Sequence, residues 1–137
     1  MDRFEWKAEY SVDDATLDAQ HQEMIAIINE LADQLRRPDV SATAARDVFD
    51  RLAAYVTSHF SYEEGRIADA GYPLESIAAH RAEHNKILRQ VQDFEQLFES
   101  GDVAVLQQLM PFLYGEWLIL HICGTDKDYV PYITGAH

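Results

Sequence analysis

Apolar side chains recur at steps of three and four along most of the chain, the spacing that lines one face of an α-helix. From about Asp18 to Arg37 the stripe reads Leu17, His21, Met24, Ile28, Leu31 and Leu35, and Pro38 ends it. A second segment runs from Ser41, a suitable N-cap, to about Ala70, with Val48, Leu52, Tyr55, His59, Glu63 and Ile67 on its stripe. Gly71-Tyr72-Pro73 stops it. The third, about Leu74 to Glu99, carries Ile77, His80, His84, Ile87, Val91, Phe94 and Phe98, and Ser100-Gly101 closes it. The fourth, about Asp102 to Tyr129, aligns Leu106, Met110, Leu113, Trp117 and His121. Pro111 lies inside it, which predicts a kink or a separate short first turn. Residues 1 to about 17 show too little period to assign and form an N-terminal arm. No segment alternates as a strand does, and short connections favour antiparallel neighbours. The pattern predicts an all-α, antiparallel up-down four-helix bundle, one domain over 1–137.

The stripes are interrupted by polar groups. His21, His59, His80, His84 and His121 all fall on core faces, and so does Glu63; of six histidines only His137 lies elsewhere. A buried carboxylate costs several kcal/mol unless it is paired or binds metal. A lone core histidine is usually satisfied by a hydrogen bond, and His80 with His84 alone would read as a simple zinc chelate. Five inward histidines on four helices, with nearby carboxylates, point instead to a shared metal site. Residues four apart stack on one face, so His80 with His84, and His59 with Glu63, can each grip one ion. His121 and Asp126 are five apart, which leaves them well separated around a regular helix. Either the fourth segment is distorted near Gly124 or the metals sit between the two directions; in a regular helix Asp126 would face solvent.

The balance of charge narrows the partners. The chain has 137 residues, enough for one core, and 47% are apolar. Its 24 acidic and 11 basic residues give a formal charge of −13, which argues against nucleic acid and against anionic membranes. So much acid keeps a protein soluble and monomeric, and a monomer is expected. The single cysteine, Cys123, allows no intramolecular disulfide and fits a reducing cytoplasm. Met1 to Trp6 lacks the apolar run of a signal peptide. The longest apolar stretch, Phe112 to Cys123, contains Glu116 and His121 and is too short to span a bilayer.

Seven candidate ligands are too many for one tetrahedral zinc, and their oxygens are too few for calcium. Imidazole with carboxylate suits iron, and a dinuclear site absorbs the surplus. Five imidazoles, two bridging carboxylates and one bridging oxygen fill all but one position of two six-coordinate irons. An open position beside two ferrous ions suits dioxygen, because reduction to the peroxide level takes one electron from each.

At these residues the chain resembles the hemerythrin family, in particular its single-domain bacterial members, over nearly its whole length. The likeness runs from Trp6 through Asp18-Ala19-Gln20-His21, His59-Phe60-Ser61-Tyr62-Glu63-Glu64, Gly71-Tyr72-Pro73 and His80-Arg81-Ala82-Glu83-His84. It ends on Trp117-Leu118-Ile119-Leu120-His121-Ile122-Cys123-Gly124-Thr125-Asp126-Lys127. Any one motif is weak evidence; their order is strong. The resemblance implies that His80, His84 and His121 hold one iron, full in its coordination. His21 and His59 would hold the other, where dioxygen binds, with Glu63, Asp126 and an oxo or hydroxo group as bridges. By position, Phe60, Trp117, Leu118 and Ile122 resemble the apolar wall of the family's oxygen pocket, although ordinary core packing explains them equally well.

Three departures stand out. Asp13 and Asp14 occupy places where the family usually has glycine and an apolar residue, and Pro111 is unusual. Cys123 invites assignment as a sulfur ligand, but the ligand set is complete without it and a small core filler fits better. Ferritin-like di-iron proteins need Glu three residues before His, and zincin proteases need Glu directly after the first His, where Arg81 stands. The expectation is a reversible oxygen-binding protein for carriage, storage or delivery, without a catalytic residue. The alternatives are an enzyme reducing peroxide, nitric oxide or nitrite at the same irons, and an oxygen sensor.

Overall fold

The computed structural model describes residues 4–39, 41–99, 108, 111–122 and 124–135. Helix α1 spans Ala15–Arg36, α2 Ala42–Asp69 and α3 Leu74–Phe98. A π-helix follows at Leu113–Ile122, then a 3-10 helix at Thr125–Tyr129 and a closing helical turn at Val130–Thr134. Most of the expected start of the fourth segment, 102–107 with Leu106 and 109–110 with Met110, lies outside the described residues, as does Cys123. No described helix is long and apolar enough to cross a membrane.

Caps set the helix starts. Asp14 accepts a hydrogen bond from the Leu17 amide at 2.9 Å, so α1 begins three residues before the periodic stripe suggested. Ser41 does the same for α2 through the Ala44 amide at 3.0 Å, as the sequence indicated. Gly71, at φ +87, turns the chain between α2 and α3 in a conformation that favours glycine. Among the described residues the buried stripes match the periodicity except at Phe94 of α3, which is only partly buried, and at one position of α2. Val56 is buried where the stripe named Tyr55, which is half-buried.

The apolar core has two parts, and their membership gives the topology. The larger contains Met24 and Ile28 from α1, Leu52, Val56 and Phe60 from α2, Ile87 and Val91 from α3, and Trp117 and Ile122. The smaller contains Val12, Leu17, Ile67, Ile77 and Tyr129. Going up the chain, α1 passes from the small core to the large one and α2 returns. α3 repeats the direction of α1, and the fourth rod returns to Tyr129. The molecule is therefore an antiparallel four-helix bundle. Every rod crosses the same middle layer, and that layer holds the histidines.

The arm packs on this frame. Asn29 exchanges two 2.7 Å hydrogen bonds with the backbone of Phe4, and the Lys127 ammonium donates to the Ser11 carbonyl. Asp13 takes φ +59, a left-handed conformation that Asp tolerates and glycine prefers, which accounts for its place in the turn before α1.

Candidate metal centre

The middle layer brings together all seven residues that the sequence singled out. His21, His59, Glu63, His80, His84, His121 and Asp126 are all buried. Ligand atoms of Glu63, His80, His84, His121 and Asp126 lie within 4.8 Å of one another, and so do those of His21, His59 and Glu63. The helical steps explain the pairs on α2 and α3. The fourth rod explains the last pair differently. The π-helix ends at Ile122, Gly124 turns the backbone out of helical geometry, and the 3-10 helix carries Asp126 back. His121 Nε2 and Asp126 Oδ1 consequently lie 3.0 Å apart. The rod is distorted at Gly124, the first of the two arrangements the five-residue spacing left open.

Each carboxylate divides its oxygens. Glu63 Oε1 lies 2.8 Å from His80 Nε2 and 3.0 Å from His84 Nε2. Its Oε2 lies 3.4 Å from His59 Nε2 and 3.5 Å from His21 Nε2. Asp126 turns Oδ1 to His121 and His80, and Oδ2 to His21 at 3.4 Å. Two groups of donors, three imidazoles and two, therefore share two carboxylates.

The ring nitrogens fit a metal. The outer Nδ1 of His84 faces Glu64 at 3.0 Å, that of His121 faces Glu83 at 2.7 Å, and that of His59 faces the Gln20 amide oxygen at 2.7 Å. An ionised carboxylate only accepts, so in each ring facing one Nδ1 carries the proton and Nε2 is left as the donor to a cation. The Nε2 atoms of His84 and His121 are 3.0 Å apart, and those of His21 and His59 are 3.1 Å apart. Lone pairs at that separation repel unless a proton or a metal ion lies between them.

Electrostatics point the same way. Burial alone would lower the pKa of His21 and His80, but hydrogen bonds and charge from Asp126 and Glu63 outweigh it and push both up to about 9. His121 is raised well above its ordinary value against the same burial. His59, where burial prevails, is lowered. Burial would raise Glu63 and Asp126, yet the surrounding histidines hold both well down. The cluster is a cation trap, filled by protons when no metal competes.

Phe60 stacks on His84 with ring centroids 3.8 Å apart, and it also lies near the His59 and His121 rings. Trp117 and Ile122 are buried in the large core, and Trp117 helps line an apolar void of about 10 Å³ with Ile28, Val56 and Ile87. The side chain of Leu118 lies outside the described residues. Of Tyr62, Tyr114 and Tyr129, any of which would favour the enzyme reading if it faced the pocket, Tyr129 meets the cluster. Its hydroxyl donates to Glu63 Oε2 at 3.0 Å, and burial holds its pKa far up, so the phenol keeps its proton. Gln20, Glu64 and Glu83 were given no role in the sequence, although they stand in the motifs that carry the resemblance, beside His21, Glu63 and His84.

Residues 12–133 match the hemerythrin HHE cation binding domain family. The chain belongs to the hemerythrin family. It is 32% identical to a bacteriohemerythrin of Methylococcus capsulatus over 124 residues, 90% of this chain and 91% of that one. A bacteriohemerythrin of Stenotrophomonas maltophilia is 29% identical, over 90% of this chain and 77% of its own. A crystal structure of a hemerythrin variant superposes with a TM-score of 0.82 at 27% identity, covering 98% of this chain and 99% of that one. In a hemerythrin-family chain the His/Glu/Asp cluster is compatible with a two-metal site.

Proposed function

We propose that this hemerythrin-family chain binds dioxygen reversibly at two iron ions, as a carrier, store or delivery protein. His80, His84 and His121 would hold one iron and His21 and His59 the other. Glu63 and Asp126 would bridge them together with an oxo or hydroxo group. The observation that carries the reading is the division of both carboxylates between the two histidine groups. When bound, the ferrous pair supplies two electrons, enough to take dioxygen to the peroxide level.

The residues of the chain do the rest. The two carboxylates offset cationic charge in a layer away from water, where an unpaired charge would be costly. Phe60, Trp117, Leu118 and Ile122 would exclude water from the open side and so slow loss of the bound ligand. Tyr129 is the described tyrosine whose hydroxyl meets the cluster, and its proton is engaged with Glu63. It is a poor acid for splitting an O–O bond, which favours binding over turnover. A cytoplasmic monomer without a catalytic residue belongs to the same proposal.

The test is an optical titration. Metal analysis after ferrous loading should find two irons per chain. Exposure of the anaerobic protein to oxygen should then raise a charge-transfer absorption that vanishes on purging. Irreversible conversion to the diferric form, with steady consumption of peroxide, nitric oxide or nitrite when a reductant is supplied, would replace this reading with an enzyme.

A further inference from the structure

The outer partners of the histidines follow a rotation around the bundle. Gln20 of α1 meets His59 of α2, Glu64 of α2 meets His84 of α3, and Glu83 of α3 meets His121 of the fourth rod. Each supporting residue thus sits beside a site residue of its own helix and serves the histidine of the next. The partners are unequal. The two-histidine group has one neutral amide, and His21 Nδ1 finds no partner among the described residues. The three-histidine group has two carboxylates, with only His80 Nδ1 unpartnered among the described residues.

The two carboxylates differ in turn. Glu64 also takes the Arg81 guanidinium at 2.7 Å, which offsets its charge. Besides His121, Glu83 takes among the described residues only the neutral Thr125 hydroxyl, 2.9 Å from each of its oxygens. A carboxylate on the outer nitrogen makes an imidazole a stronger donor at its inner one. A stronger donor set favours the higher charge on its metal.

We infer that Glu83, with Glu64 in a lesser part, is a positioning residue that makes the three-histidine ion the first to be oxidised. This rests on the di-iron reading above. In the step concerned, one electron leaves the ferrous ion at His80, His84 and His121 for an external one-electron oxidant. With ferricyanide as oxidant, ferrocyanide forms and the second ion stays ferrous. No proton need leave the chain, because the charge already on Glu83 balances the added positive charge.

An anaerobic redox titration of the iron-loaded protein with ferricyanide, followed by absorbance and by the paramagnetic resonance signal of the mixed-valence state, resolves the two one-electron steps. Glu83→Gln keeps an acceptor for His121 and removes the charge. It should move the first step, changing its oxidised-to-reduced ratio at fixed potential about tenfold toward ferrous, which is about 59 mV for one electron. The second step should stay nearly in place. Gln20→Glu adds a carboxylate to the two-histidine group and should move the second step the opposite way. It needs no tolerance of change at Glu83. If either variant holds two irons and leaves both steps where they were, or moves both equally, the inference is overturned and the di-iron reading stands. If the unaltered protein holds fewer than two irons, that reading fails first and takes the inference with it.

Discussion

Asp14 shows how much one exposed-looking acid can do. One oxygen caps α1 through the Leu17 amide, and the other takes the Arg66 guanidinium of α2 at 2.9 Å. Removing a cap of this kind costs about 1 kcal/mol, and a partly exposed ion pair adds at most about 1 kcal/mol. Asp14→Ala should therefore lower unfolding stability by about 1–2 kcal/mol in urea, with an unchanged slope and unchanged metal content. A loss below about 0.3 kcal/mol would show that the arm, not the cap, fixes the start of α1. In the sequence Asp13 and Asp14 were only departures from the family's habit. Neither the left-handed turn nor the contact with Arg66, 52 residues away, is written in a local pattern.

The elements were legible to different depths. Three rods could be read almost residue by residue, because stripes at 3.6-residue spacing carried His21, His59, Glu63, His80 and His84 inward with the apolar side chains. The fourth could not. Leu113, Trp117 and His121 stand four apart, a step that a wider helix satisfies as well as an α-helix does, so the stripe is silent on the π form. Glu64 and Glu83 hid for another reason: among 24 acids, a half-exposed carboxylate looks like ordinary surface charge. The distortion at Gly124 matters because it alone delivers Asp126 to both histidine groups. Asp126→Ala should keep α1–α3, whose caps and stripes do not involve it, and so retain the far-ultraviolet helix signal. Iron content should fall from two per chain to one or less after loading and desalting. Full retention of both ions would mean that Glu63 and the histidines suffice, and that the turn at Gly124 serves packing alone.

At the scale of the whole molecule, the cluster ties folding to pH and to metal. Without metal, His21 and His80 titrate at about 9 in the folded chain and near 6.5 when unfolded, and His121 is raised as well. Their contribution to stability is complete below pH 6.5 and is lost as pH rises through about 9. Glu63 and Asp126 are lowered, so theirs is present above about pH 4 and disappears as pH falls through their depressed values. His59 is lowered, which opposes the first group below pH 6.5, but it is one residue against three. The metal-free protein should therefore melt at falling temperatures between pH 6.5 and 9.5. Ferrous ions compete with those protons, so anaerobic loading should raise the melting temperature and release protons at pH 7, fewer at pH 9.5. Calorimetry of loading in two buffers of different ionisation enthalpy counts the protons. The loaded protein should lose the alkaline slope, because metal then balances the two buried carboxylates at every pH where it stays bound. A slope that persists after loading would place the titrating groups outside the centre, and a melting temperature indifferent to metal would mean that the four rods hold together without it.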